Sequence, residues 1–210
     1  MASVRVSFGL YHVPQRPGLA LWKAARHFLN AQRSRIVFQA CPDPREKYHP
    51  THSIAMKPFD IKLAQTRDAQ YIAAMSRDHI EHGLGWKYQQ AQILDAIRDA
   101  DTNVIIAWRE SSLAGFAIMT YQGFEAHLVL FAVLPADRRQ GAGTQLIQWL
   151  IKTAEVAGVQ TVTVELRTAN TIAHHFYESL GFRQLESLQH YYRGVEHGER
   201  MALDLRRRVG

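Results

Sequence analysis

Between an apolar strand ending at Leu134-Pro135 and a strongly helical stretch lies Arg138-Arg139-Gln140-Gly141-Ala142-Gly143. The first N–H groups of a helix have no intrahelical partner, and the helix dipole favours negative charge there. Such a terminus is an anion site. Glycine lets the backbone approach a ligand without a Cβ in the way, and arginine adds charge with forked hydrogen bonding suited to phosphate. Residue types and spacing therefore point to a phosphate-bearing ligand, with a plain strand-to-helix turn as the simpler alternative. The chain has no Gly-x-Gly-x-x-Gly and no Gly-Lys-[Ser/Thr], and the loop lies far from the N-terminus. Both facts argue against a dinucleotide fingerprint or a P-loop.

Two titratable residues follow. Glu165 alternates with Thr161 and Thr163 in a β-branched run, opposite Val162, Val164 and Leu166. A carboxylate in such a strand is either exposed or functional. Tyr177 lies seven residues after Asn170; a phenol there is a candidate proton donor or a buried aromatic beside Phe176. Asn170 is a good helix N-cap in its own right. His174 and His175 are adjacent and cannot face one site on a helix. The 11 histidines show no ligand spacing, so no metal is expected. Cys41, the single cysteine, sits in a proline-broken stretch with no catalytic signature and excludes a disulfide framework.

The elements that must position these groups are legible from Met56 onward. Ile61–Leu63 reads as a strand, then a helix capped by Thr66, then a second helix over Tyr88–Ala100. Strands are expected at Asn103–Trp108 and Leu113–Tyr121, with the turn at Glu110-Ser111-Ser112, and at Ala126–Leu134. The last is apolar throughout, as in the middle of a sheet covered on both faces. A helix over Gly141–Ala157, closed by Gly158, a strand at Val159–Leu166, a helix over Asn170–Leu180 and a hairpin of Phe182–Tyr192 with Arg200–Leu205 complete the order β-α-α-β-β-β-α-β-α-β-β. This is an α/β sandwich with a mixed sheet.

The first 55 residues differ in character. They hold eight Lys/Arg and two Asp/Glu, leaving 17 of each in residues 56–210. Residues 18–39 read as an Arg-rich amphipathic helix, and Pro42, Pro44 and Pro50 make 41–55 a linker. We expect a basic extension over 1–55, as a surface helix or as sequence upstream of a start at Met56, and a folded domain over 56–210. No apolar run reaches the roughly 18 residues of a membrane span. The lack of disulfides makes a cytoplasmic location the default. No basic-aromatic stacking motif supports a nucleic-acid partner.

Arg138-x-x-Gly141-x-Gly143 resembles the motif A loop of the GNAT superfamily of N-acetyltransferases. Val164-Glu165-Leu166-Arg167-Thr168-Ala169-Asn170 through Phe176-Tyr177-Glu178-Ser179-Leu180-Gly181-Phe182 resembles its motif B. The resemblance spans roughly 58–205, and its motifs look most like those of the ribosomal-protein alanine N-terminal acetyltransferases. It implies a mostly antiparallel central sheet flanked by helices, and acetyl-CoA as cosubstrate. Main-chain groups of Phe131, Ala132 and Val133 would hold the pantetheine arm, with the Val133 N–H on the thioester carbonyl. Arg138, Arg139, Gln140, Gly141, Ala142, Gly143 and Thr144 would hold the pyrophosphate, and Asn170 would also contact CoA. By the same resemblance Glu165 is general base and Tyr177 general acid for direct attack by a primary amine in a ternary complex. The acceptor, a protein N-terminus or a small amine, would lie between residues 78–90 and 186–199, near Glu81, Trp86, Tyr88, Tyr191 and Tyr192. A non-catalytic CoA sensor is the alternative reading, and a homodimer is left open.

Overall fold

The computed structural model describes residues 59–82, 85–192 and 194–206. The expected N-terminal helix, the proline linker, Cys41 and the division at residue 55 lie outside the described residues. From Phe59 the chain forms β1 (Asp60–Leu63), α1 (Ala69–His79), α2 (Gln90–Arg98), β2 (Thr102–Arg109), β3 (Ser112–Gln122) and β4 (Glu125–Val133). It continues with α3 (Ala142–Val156), β5 (Thr161–Arg167), α4 (Thr171–Ser179), β6 (Arg183–Tyr192) and β7 (Glu196–Asp204). The order is the one the periodicity predicts.

Seven strands make one sheet in the order β1-β2-β3-β4-β5-β7-β6. Every neighbouring pair is antiparallel except β4 and β5. A parallel pair needs a crossover, and α3 supplies it. Leu146, Leu150 and Ala154 of α3 recur at helical spacing and are buried, packing with Leu128, Val164 and Met201 on one face of the sheet. On the other face Ile72 of α1 and Ile93 of α2 pack with Val104, Ile106 and Phe116. Both faces of β4 are thus covered, which is why its sequence is apolar almost end to end.

The start of α1 corrects one expectation. Thr66 is not its cap: residues 66–68 form a 3-10 turn, and the Asp68 carboxylate accepts the Gln65 N–H at 2.7 Å. An ionised acceptor makes a stronger bond to a free main-chain donor than a hydroxyl does, and Asp68 is buried where it makes it.

The sheet is irregular where it matters most. Ile118 pairs with Leu130 and Met119 with Leu128, so Val129 is the extra residue of a bulge in β4. The bulge reverses the facing of the strand: Ala126 and Leu128 pack with α3 and α4, whereas Leu130 and Ala132 pack with α1 and α2. Pairing of β4 with β5 ends just before it, at Leu128 and Val164. Beyond that point β4 runs on to Val133 and β5 to Arg167 without bonding to each other.

Candidate active site

The unpaired ends of β4 and β5 leave main-chain polar groups facing a gap. The Leu134 N–H donates to Ala114 O of β3 at 2.8 Å. Along a strand successive N–H groups alternate in direction, so the N–H and C=O of Val133 turn from β3 into the gap. The Val133 carbonyl accepts from Arg138 Nε at 3.2 Å, which fixes Arg138 across the end of the opening.

At that end the loop enters α3. Arg139 and Gly141 both have positive φ, 60° and 88°. The first intrahelical bond runs from Gln145 N to Gly141 O at 3.0 Å. The N–H groups of Ala142, Gly143 and Thr144 therefore have no helical acceptor. Left-handed residues beside helical ones turn successive amides toward one point, a concavity suited to an anion.

Two loop residues also have structural roles. A Cβ on Gly143 would lie 3.1 Å from the Phe131 ring and 3.4 Å from that of Phe176. Glycine there lets α3 lie against β4 and α4, a packing reason beside the expected one. The Gln140 side chain accepts from Arg109 and donates to Ala136 O at 2.6 Å. Arg109 is also paired with the buried Asp137. The Gln140 side chain thus braces the loop, leaving its main chain for a ligand.

On the α4 side, aromatic rings fill the space beside the gap. Phe131 and Phe176 stack at 5.5 Å, and Tyr177 meets Phe176 at 5.3 Å and Phe182 at 5.4 Å. Tyr177 is 4% exposed. Burial pushes its hydroxyl well above the ordinary tyrosine value, assisted by Tyr192. Asn170 caps α4 as its sequence position suggests, its Oδ1 accepting from Ala173 N at 3.1 Å.

Glu165 lies on the opposite face, because β5 alternates Val162, Val164 and Leu166 toward α3 and α4. Its Oε1 accepts from Arg200 Nε at 3.0 Å and Nη2 at 2.6 Å, and its Oε2 accepts from the Tyr191 hydroxyl. Burial raises the carboxyl; the bonds from Tyr191 and Arg200 and the nearby His127 outweigh it, and the net displacement is downward. Burial, then the same carboxylate, pushes Tyr191 upward, and burial is the main cause that takes Tyr192 to about 12. Arg200, Tyr191 and His127 thus surround Glu165. The Glu165–Arg200 pair, 35 residues apart, follows only from strand register, and His127 read simply as part of an apolar strand.

The expected acceptor side is partly assembled. Arg167 Nη2 donates to His82 O at 3.2 Å, and its guanidinium lies 5.6 Å from the Tyr192 ring. This joins the end of β5 to the α1–α2 connection and to the β6–β7 hairpin. Glu81, expected to line the groove, does something else. It is buried and accepts from Ser76 Oγ at 2.9 Å, Lys87 N at 2.8 Å and Tyr88 N at 3.1 Å. Those donors consume its acceptor capacity, so it staples the loop. Trp86 stays exposed at the rim, its Nε1 donating to Tyr88 O at 3.1 Å.

Among the described residues no group of three or more His, Cys, Asp or Glu lies close enough to hold a metal ion, and no helix is long and apolar enough to cross a membrane. A separate concavity lined by Lys62, Arg67, Asp68, Gln70, Tyr71 and Trp108 lies at the β1 edge, away from the gap.

The sequence matches the model of the acetyltransferase (GNAT) family over residues 65–182. An N-alpha-acetyltransferase of Sulfurisphaera tokodaii is 37% identical over 101 residues, 48% of this chain and 59% of that protein. The [ribosomal protein bS18]-alanine N-acetyltransferase of Escherichia coli is 39% identical over 84 residues, 40% of this chain and 57% of that protein. The chain thus spans less than two thirds of the length of these relatives. The crystal structure of Ard1 from Thermoplasma volcanium matches with a TM-score of 0.62 at 26% identity, covering 70% of this chain and 98% of that one.

Proposed function

Since the chain belongs to the acetyltransferase (GNAT) family, we propose that it moves an acetyl group from acetyl-CoA to a primary amine by direct attack, with a protein N-terminus as the favoured acceptor. The observation that carries this reading is the gap between β4 and β5, with the main chain of Val133 facing it and the free amides of 142–144 at its end. An extended pantetheine arm would add to β4 along Phe131–Val133 in place of the missing strand partner, and the pyrophosphate would sit on the loop from Arg138 to Thr144. A thioester carbonyl on the Val133 N–H would gain stabilisation as negative charge develops on its oxygen, an effect worth about 3 kcal/mol for one such donor.

The two titratable residues divide the rest of the chemistry. Tyr177 stays protonated because burial disfavours its anion. It serves best as a hydrogen-bond donor to the departing thiolate, since full transfer from so weak an acid is uphill. Glu165 stays ionised among Arg200 and Tyr191, so it attracts an ammonium and orders water around the attacking nitrogen. The preference for a protein N-terminus rests on the relatives named above and on an α-amine pKa near 8, which needs only mild deprotonation at neutral pH.

The test is to mix the protein with acetyl-CoA and, in turn, peptides with free N-termini, a polyamine and an amino sugar, while following thiol release. Acetylation of a peptide α-amine is the expected result. CoA binding without thiol release from any mixture would favour a non-catalytic sensor instead.

A further inference from the structure

Arg109 belongs to no motif, and the acetyl-transfer reading above gives it no part. It is the last residue of β2. β2 and β4 are both antiparallel to β3, so they run in one direction and end at the same edge of the sheet. The loop after β4 leaves from that edge. Two strand spacings of about 4.8 Å separate the two strands, a span that a long side chain and the turn after β4 close between them.

The guanidinium makes three contacts there. Its Nη2 is paired with Oδ1 of Asp137, in the 3-10 turn Pro135–Asp137. Its Nη1 donates to Oε1 of Gln140. It also lies over the ring of Phe59, 5.2 Å from the centre, and Phe59 is buried just before β1. Gln140 Nε2 donates back to Ala136 O at 2.6 Å, so turn, guanidinium and amide close a ring.

Resting on that acetyl-transfer reading, we propose that Arg109 is a positioning residue for the donor. It grips Asp137 and Gln140 so that the loop from Arg138 to Thr144 keeps the shape that receives the CoA pyrophosphate, without itself contacting a phosphate. Two features of the loop call for such a grip. Arg139 carries a Cβ at a φ of 60°. A left-handed backbone is costly at such a residue and persists only where its surroundings over-determine it. Asp137 and Gln140 bracket Arg139, and one guanidinium holds both. With the grip lost, Arg139 can relax to negative φ, which turns the peptides entering α3 and the amides of 142–144 with them. Asp137 is also buried, and without Arg109 its charge would be left unpaired, so the turn would open to water. The same pairing neutralises Arg109, whose effect on CoA therefore passes through the main chain. Only a planar fork holds two acceptors in fixed directions; a lysine ammonium is a point charge.

Arg109→Lys keeps a cation for Asp137 and loses the second grip. We expect it to weaken CoA binding, measured by calorimetry, by about tenfold, the lower end of what a bond to a charged group contributes. The KM for acetyl-CoA should rise in step, kcat should stay within about twofold, and the KM for acetyl-pantetheine, which lacks the pyrophosphate, should not move. Gln140→Leu, which breaks the ring without touching the buried pair, should do the same. Because both act through one brace, the double variant should lose no more than the worse single one. Losses that multiply in the double variant would make Arg109 a direct ligand and overturn the assignment. So would equal losses for both donors, or CoA affinity unchanged in Gln140→Leu should Arg109→Lys not fold. A wild-type protein that binds CoA as its variants do overturns the brace alone; one that binds no CoA overturns the acetyl-transfer reading as well.

Discussion

Glu165 and Arg200 are cross-strand partners on β5 and β7, and the arginine Nε and Nη2 both donate to one carboxylate oxygen. The bond is charge-assisted and only partly screened, since the glutamate side chain is 15% exposed and the arginine 35%. Arg200 is one of the causes that hold the Glu165 carboxyl below its ordinary value. A depressed carboxyl contributes stability that is present above its unfolded pKa and is lost as pH falls through the folded one. Arg200→Gln should therefore lower stability at neutral pH by about 1 kcal/mol, discounted for exposure, and should flatten the loss of stability on acidification. Urea unfolding at neutral pH and at pH near 4 checks this; identical midpoints for both proteins at each pH would contradict it.

Tyr177 has a different vulnerability. Its ring is held by Phe131, Phe176 and Phe182, and Tyr177→Phe preserves all of that packing. Only the hydroxyl is lost. Turnover should fall by about 100-fold, the lower end of what a positioned proton donor contributes, while CoA affinity measured by calorimetry stays within about twofold. Unchanged turnover would remove the hydroxyl from the chemistry and leave the residue a core aromatic.

These two sites show what one-dimensional reading can and cannot reach. Periodicity finds β5 and α4 because the faces of Val162, Val164 and Leu166 and the cap at Asn170 are local signals. The Arg138–Gly143 loop is equally local: a strand, a glycine pair and a helix. The neighbours of Glu165 are not. Arg200 reaches it through strand register, Tyr191 through a hairpin, and His127 through the single parallel pairing of the sheet. The bulge at Val129 has no compositional mark, yet it decides which face Phe131 and Val133 present. The role of Glu81 escapes the sequence for a related reason. Its acceptors are filled by main-chain N–H groups of a loop, and any sequence supplies those.

Gly141 tests the loop by conformation alone. Its φ of 88° lies in the left-handed region, and an added Cβ would meet only the end of the Gln145 side chain at 3.5 Å. The obstacle to substitution is therefore torsional. A β-branched residue there costs about 1–2 kcal/mol, or turns the peptide and spoils the alignment of the amides of 142–144. Gly141→Val should weaken CoA binding by about tenfold, the equivalent of about 1.4 kcal/mol, with a smaller effect on a pyrophosphate-free pantetheine donor. Equal losses for both donors would place the damage elsewhere than at the phosphates.

His174 ties α4 to the sheet. Its Nδ1 lies 2.7 Å from Oε1 of Glu199 on β7, which is buried, and its Nε2 lies 3.5 Å from Oε1 of Glu178 one turn along the helix. The bond to Glu199 is the main cause that raises the imidazole above its ordinary value. A raised base stabilises the fold fully below its unfolded pKa of about 6.5, and that contribution is lost as pH rises through the folded value. His174→Gln can still donate to Glu199 but cannot carry charge. The Tm gap between wild type and variant should therefore be widest in mildly acidic buffer and should close above neutral pH. Because α4 carries both Asn170 and Tyr177, the same variant should loosen CoA binding more at low pH than at high pH. A Tm gap constant across this range would show that the pair acts as a neutral hydrogen bond and that protonation of His174 contributes nothing to holding α4 in place.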